Sequence, residues 1–236
     1  NSQRTPTLQE LYWSGDSTLL PTSRLWLANE KHTVIEVGIR FSLFDFLYGS
    51  ASITHRQIKN PILIDTAGVP GSQIVKYSLT FSQSDSRSFD GVNISLRSSY
   101  KNFFAQGNAT YLRQPGSLHG SQKLTLLPEI YLDGSVYYKG ILADGNLELK
   151  VGFRGRFVSQ QTGMAPLGES GLYVPYVLLQ SFGPSGTADF FVIAKLSNAY
   201  LHFIWENLSG NQFMLTPLYP MYERNVRFGV SWEFWN

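Results

Sequence analysis

Four histidines, His32, His55, His119 and His202, are the first side chains to weigh for chemistry. They lie far apart, with neither a His-Glu-x-x-His run nor metal-ligand spacing among them. There is no cysteine, so thiolate ligands, disulfides and sulfur redox chemistry are excluded. Gly-x-Ser-x-Gly does not occur, and the Gly-Pro-Ser-Gly at 183–186 lacks a phosphate-loop lysine. What remains is a set of carboxylates among lysines: Asp133 and Glu148, with Lys139 and Lys150 close by in sequence. Two carboxylates could serve as acid and base. Ion pairing with the two lysines is the simpler account if all four face one interior, because buried charges need partners. Asn93, Asn108 and Asn207 each begin a match to the glycosylation acceptor pattern, and two of the three overlap stretches of alternating apolar and polar residues, so they are read as chance.

The elements that carry these residues alternate apolar and polar positions with period two, and helical periodicity appears nowhere at comparable length. Leu147, Leu149, Val151, Phe153 and Phe157 alternate with Glu148, Lys150, Arg154 and Arg156. The same pattern predicts strands over 35–41, 45–57, 75–82, 92–97, 130–139, 187–197, 199–208 and 226–236, nine in all. Over 187–197 both Phe191 and Ile193 would face inward. Most runs are long, about 9 to 13 residues, as a tilted membrane-crossing strand requires. Charged residues make up 15% and aromatics 14%. No stretch approaches 18 consecutive apolar residues, so a membrane helix is ruled out. A barrel with an apolar outer face and a polar lumen reconciles these facts. The net charge of +2, with no run of basic residues, points away from nucleic acid.

The expected connections then alternate in length. Working back from the C-terminus, 209–225 is long, 197–199 tight, 160–186 long, 143–145 tight, 102–127 long, 85–88 short, 58–72 long and 42–44 short. Short turns on the periplasmic side and long loops outside are the rule for bacterial barrels, and a soluble sandwich has no reason to sort loops by parity. Nine strands leave Asn1 outside, with residues 1–32 an extracellular loop and the chain one part of a larger barrel. Its free edge then needs upstream strands or another chain, since unpaired backbone in lipid costs several kcal/mol per group.

Residues 226–236 (VRFGVSWEFWN) resemble the C-terminal assembly signal of bacterial outer-membrane proteins. Arg227 and Gly229 lead up to the aromatic positions Trp232 and Phe234. The resemblance implies the barrel-insertion machinery as a partner. Arg4 to Trp13 (RTPTLQELYW) resembles the Arg-x-Pro-Thr-x-x-Glu-Leu stretch of TonB-dependent receptors, and Glu36-Val37-Gly38-Ile39 is similar to the start of the strand that follows it there. Leu218-Tyr219-Pro220-Met221, ahead of the last strand, resembles the end of those receptors and of the related bacterial putative porins. These stretches lie toward both ends of the chain. They imply the C-terminal portion of an antiparallel up-and-down barrel in the bacterial outer membrane, without separating the two families. No plug domain or TonB-box segment is visible in the sequence.

The lumen would then hold Arg40, Lys76, Arg97, Lys101, Lys139, Lys150, Arg154, Arg156, Lys195 and Arg227 against Glu36, Asp133, Glu148, Asp189, Glu206 and Glu233. Ten positive and six negative groups would tilt an open pathway mildly toward anions, whereas a salt-bridged lumen would select nothing. Phe41, Phe46, Trp205, Trp232 and Phe234 fit an interfacial girdle. The expectation is passage of a solute across the outer membrane, with the lipid bilayer as environment and no enzyme activity, cofactor or metal. An outer-membrane enzyme with acids at its rim and a soluble β-sandwich binding module are the alternatives.

Overall fold

The computed structural model describes residues 1–7, 27–68, 77–83, 86–113, 117–119, 122–124, 127–162, 164–167, 172–175, 183–212, 214–216 and 219–234. Its strands, in chain order, are β1 (Ser2–Arg4), β2 (Glu30–Leu43), β3 (Leu47–Lys59), β4 (Ile62–Gly68), β5 (Tyr77–Gln83), β6 (Ser86–Tyr100), β7 (Phe103–Arg113), β8 (Ser117–His119) and β9 (Gln122–Leu124). They continue with β10 (Ile130–Leu142), β11 (Leu147–Val158), β12 (Met164–Leu167), β13 (Leu172–Pro175), β14 (Ser185–Leu196), β15 (Ala199–Glu206), β16 (Met214–Thr216), β17 (Tyr219–Pro220) and β18 (Asn225–Trp232). Ten of them form one antiparallel meander in the order β1-β2-β3-β6-β7-β10-β11-β14-β15-β18. The other eight pair two by two as hairpins of the long connections.

One face of this meander is apolar on every long strand. Across β10, β11, β14 and β15 the register places Val136 opposite Phe153, Phe153 opposite Phe190 and Phe190 opposite Trp205. Val37, Phe153, Phe228 and Val230 are all more than half exposed, and Val158 is the only buried hydrophobic side chain among the described residues. A sandwich would bury such a face under a second sheet. Here nothing among the described residues covers it, so the solvent that suits it is hydrocarbon. Toward the short-turn end the face carries aromatics in contact: Phe44 stacks on Phe46 at 5.5 Å, Phe46 meets Tyr100 at 6.4 Å, and Phe103 meets Tyr138 at 5.5 Å. Such a belt of rings suits the level at which lipid tails give way to headgroups.

Four short turns close one end, between β2 and β3, β6 and β7, β10 and β11, and β14 and β15. Their sharpness requires left-handed backbone, adopted by Phe44, Lys101, Ala143 with Asp144, and Ser197. Glycine has a separate use at Gly49, where the Phe41 ring lies so close that an added Cβ would stand 2.3 Å from its Cζ. An aromatic side chain covering a cross-strand glycine restores the packing that the missing Cβ gives up.

Eight of the nine expected strands are in the main sheet, and the expected strand over 75–82 is not. It corresponds to β5, which pairs with β4 in the connection between β3 and β6. Alternation identifies a strand without saying which sheet it joins. In its place β7, expected as part of a long loop over 102–127, crosses between β6 and β10. Its outward residues Ala105, Gly107 and Ala109 are small and its inward ones include Phe104 and Leu112, so the contrast between faces is weak. The 85–88 connection is accordingly no periplasmic turn, and residues 101–102 make that turn instead. With β1 added, the sheet has ten strands rather than nine. In the stretch 1–32, residues 2–4 and 30–32 are paired in the sheet, while residues 8–26 lie outside the described ones. The meander runs from β1 to β18 without closing: among the described residues β18 pairs only with β15, and β2 is covered by β1 only at Glu30–His32.

Candidate functional site

Most of the charged side chains of the main sheet lie on its polar face, His55, Asp90 and Arg113 forming a row on the other face at the long-connection rim, and the polar face divides into zones along the strand axis. At the long-connection rim Glu30 is buried and accepts from Arg4 Nε at 2.6 Å and from the backbone N–H of Ile62 at 2.7 Å, with His32 Nε2 at 3.3 Å. Arg56 Nη2 lies 3.0 Å from His32 Nδ1. This network ties β1, β2, β3 and the start of β4 together, a structural use of charge.

In the middle zone Asp133 accepts from Asn108 Nδ2 at 3.3 and 3.5 Å, and stands opposite Arg156 in register. Arg154 stands opposite Ser135 on one side and Asp189 on the other. Asp189 Oδ1 accepts from the backbone N–H of Asn207 at 2.9 Å. Among the described residues neither Arg154 nor Arg156 makes an ion pair, and Arg156 Nε is buried without a hydrogen-bond partner. Arg97 shares a cross-strand row with Gln106, Ser135 and Arg154. Three strand spacings separate the two arginines, about 14 Å.

Near the short turns the third zone is denser. Lys139 and Lys150 are directly opposite each other, and Lys195 is opposite both Glu148 and Tyr200. Lys139 Nζ bonds Glu148 Oε1 at 2.7 Å. Lys150 Nζ lies 4.1 Å from the centre of the Tyr137 ring and 5.6 Å from that of Phe191, while Lys195 Nζ lies 5.0 Å from that of Tyr200. Phe104 stacks on Tyr137 at 5.2 Å, which fixes that ring from the other side. Tyr137, Lys139, Glu148, Lys150, Ile193, Lys195 and Tyr200 together line a cleft of about 230 Å³.

Register settles which expected residues meet. Lys139 and Lys150 come together, and Lys195 joins them. Arg154 and Arg156 make a separate pair of positions further along β11, and Lys76 lies outside the described residues. The expected pairing of Glu148 with lysine holds, but Asp133 is held by Asn108 rather than by Lys139 or Lys150. Asp133 and Glu148 cannot act as one acid–base pair: Asp133 faces Arg156, eight residues along β11 from Glu148, or about 26 Å at a strand's rise. Lys101 sits in its turn with Nζ 5.6 Å from the Tyr100 ring centre, not on the lumen face of a strand. The rings of Tyr137, Phe191 and Tyr200 were not legible as site residues, although their inward parity was, because what they hold comes from neighbouring strands. His55 Nδ1 lies 2.7 Å from Asp90, His202 lies 3.3 Å from the Ser231 hydroxyl, and no metal-binding cluster occurs among the described residues.

On the last strand Arg227 and Gly229 lie on the polar face of the sheet and Trp232 on the apolar face, opposite Ile204, His202 and Ala199. The Arg227 guanidinium donates to Glu206. Trp232 is 61% and Phe234 82% exposed, so neither is consumed by packing within the chain.

The sequence profile of the family described as Putative porin matches residues 2–236. No curated protein sequence matches the chain. Among solved structures it is similar to the siderophore receptor PirA from Acinetobacter baumannii (16% identity, TM-score 0.62), covering 88% of this chain and 32% of that one. It is similar to the pyoverdine outer-membrane receptor FpvA from Pseudomonas aeruginosa PAO1 (17%, 0.62), covering 93% and 32%. The FrpB iron transporter from Neisseria meningitidis is a third (14%, 0.59), covering 87% and 31%. The chain thus spans about a third of the length of these proteins, and at such identities the likeness is one of fold.

Proposed function

This chain belongs to the Putative porin family, and we propose on that premise that it forms part of the wall of a pore through which a hydrophilic solute crosses the membrane. It is an all-β outer-membrane barrel segment of the transporter type, in the bacterial outer membrane. The observation that carries the pore reading is the division of the sheet, over the middle of its long strands, into an exposed apolar face and a face lined by Arg97, Ser135, Lys150, Arg154 and Arg156. Charges on a lipid face are costly, whereas in a water-filled lumen they are solvated and set selectivity. The open edges at β2 and β18 are completed by further strands of the same protein or of another chain, since the bilayer offers backbone groups no partners. The C-terminal strand, with Trp232 and Phe234 exposed, is the segment that the barrel-insertion machinery would read.

Protein purified from outer membranes and reconstituted into liposomes should make them swell in iso-osmotic small sugars at a rate falling with sugar size. Absence of swelling, together with absence of conductance in planar bilayers, would overturn the pore reading. A receptor that takes up a bound ligand with energy input is the second reading, favoured by the shared fold with PirA and FpvA over about a third of their length. Ligand-dependent, energised uptake without passive swelling would select it.

A further inference from the structure

We propose that the lysine cluster at the short-turn end of the lumen is an anion-binding site, taking a small dianion of the phosphate or dicarboxylate class. The proposal rests on the pore reading for its physiological role, but not for its chemistry. Lys139 and Lys150 are cross-strand partners, an arrangement that destabilises a sheet when both residues are charged. One carboxylate, Glu148, takes up one ammonium, Lys139, at 2.7 Å. Lys150 and Lys195 have no ion pair among the described residues and are steadied by the ring faces of Tyr137, Phe191 and Tyr200. Ring faces hold an ammonium in place without neutralising it. The residues lining the cleft therefore carry three lysine charges against the one of Glu148, a net +2, with Glu233 acting on Lys195 from outside the lining, and aromatic contacts already orient Lys150 and Lys195.

Size narrows the class. At about 230 Å³ the cleft holds the volume of roughly eight waters, enough for a small dianion with part of its hydration shell. Sites for drug-sized ligands run from about 300 to 1,000 Å³, so this one does not enclose a bulky chelate. Its position beside the turns at 143–146 and 197–198 puts it at the periplasmic end of the lumen, where an anion leaving the pathway would pause.

The test is isothermal titration of the purified protein in neutral detergent at low ionic strength with inorganic phosphate and, separately, succinate. The variants are Lys150→Gln, Lys195→Gln and Lys150→Arg, with Lys59→Gln at the opposite end as control. Each glutamine variant should lose about tenfold in affinity, as expected for one charge-assisted contact, while Lys150→Arg stays within about threefold of the unaltered protein. Preference for one probe over the other identifies which anion class the cleft takes. Equal affinity in the unaltered protein and both glutamine variants, or an equal loss in Lys59→Gln, would overturn the site, as would no binding of either probe. Should one glutamine variant fail to insert, the other still decides. Conductance of the same preparations separates the two readings: lysine-dependent binding without conductance removes the pore and keeps the site, and conductance without lysine-dependent binding does the reverse.

Discussion

Replacing Val151 by arginine is the most discriminating perturbation of the membrane-facing sheet. Val151 lies between Tyr138 and Val192 on the apolar face of β11, four residues from Leu147 at the short-turn end. Four residues at about 3.3 Å, on a strand tilted by roughly 40°, correspond to a depth of about 10 Å. The apolar band of such barrels is about 25 Å tall, so Val151 sits close to the midplane. Arginine there should cost about 2–4 kcal/mol, whereas Leu147→Arg, at the edge of the band, should cost about 0–1 kcal/mol. Ser135→Arg enters the lumen opposite Arg154. It adds a like-charge pair worth about 0.2–1 kcal/mol, with no transfer into hydrocarbon. The assay is reversible denaturant unfolding of the full protein in lipid vesicles, comparing midpoints at constant slope. If Val151→Arg costs no more than Leu147→Arg and Ser135→Arg, the assignment of this face to lipid is wrong.

Other perturbations test other parts of the structure. Trp232→Ala combined with Phe234→Ala should lower outer-membrane levels in cells well below those of Gly183→Ala, a position with open space around it; equal levels on immunoblots of membrane fractions would remove the assembly role. Ala143→Gly, at a left-handed position with φ of 51°, should stabilise the β10–β11 turn by about 1 kcal/mol, read as a higher unfolding midpoint. Glu30→Ala strips partners from Arg4 and from the Ile62 N–H, and should cost about 1–2 kcal/mol. Hydrogen exchange would show it as faster exchange at Ile62, and unchanged protection there would mean that the carboxylate holds nothing.

The strands of the main sheet other than β1 and β7, their two-faced character and the aromatic end of the chain were legible in the sequence alone. Side-chain direction alternates residue by residue, so Leu149, Val151 and Phe153 declare one face and Glu148, Lys150 and Arg154 the other wherever the strand is placed. Parity of the connections was legible where tight turns at 44–46, 143–146 and 197–198 leave no choice of neighbour, but not over 85–127, where the short turn lies at 101–102 and β7 replaces the expected loop. The partner of a strand is not local information. Tyr77–Gln83 alternates as well as any membrane strand, and only its pairing with Ile62–Gly68 shows that it belongs to a long connection. Phe103–Arg113 crosses the sheet on pairing to β6 and β10, although its small outward residues hardly distinguish its faces. The site divides in the same way. That Lys139, Lys150 and Lys195 face inward follows from period two. That they line one cleft with Tyr137 and Tyr200, while Asp133 sits with Asn108 far from Glu148, depends on register across two hairpins and two long connections. Backbone hydrogen bonding over whole strands sets that register, and no single segment carries it.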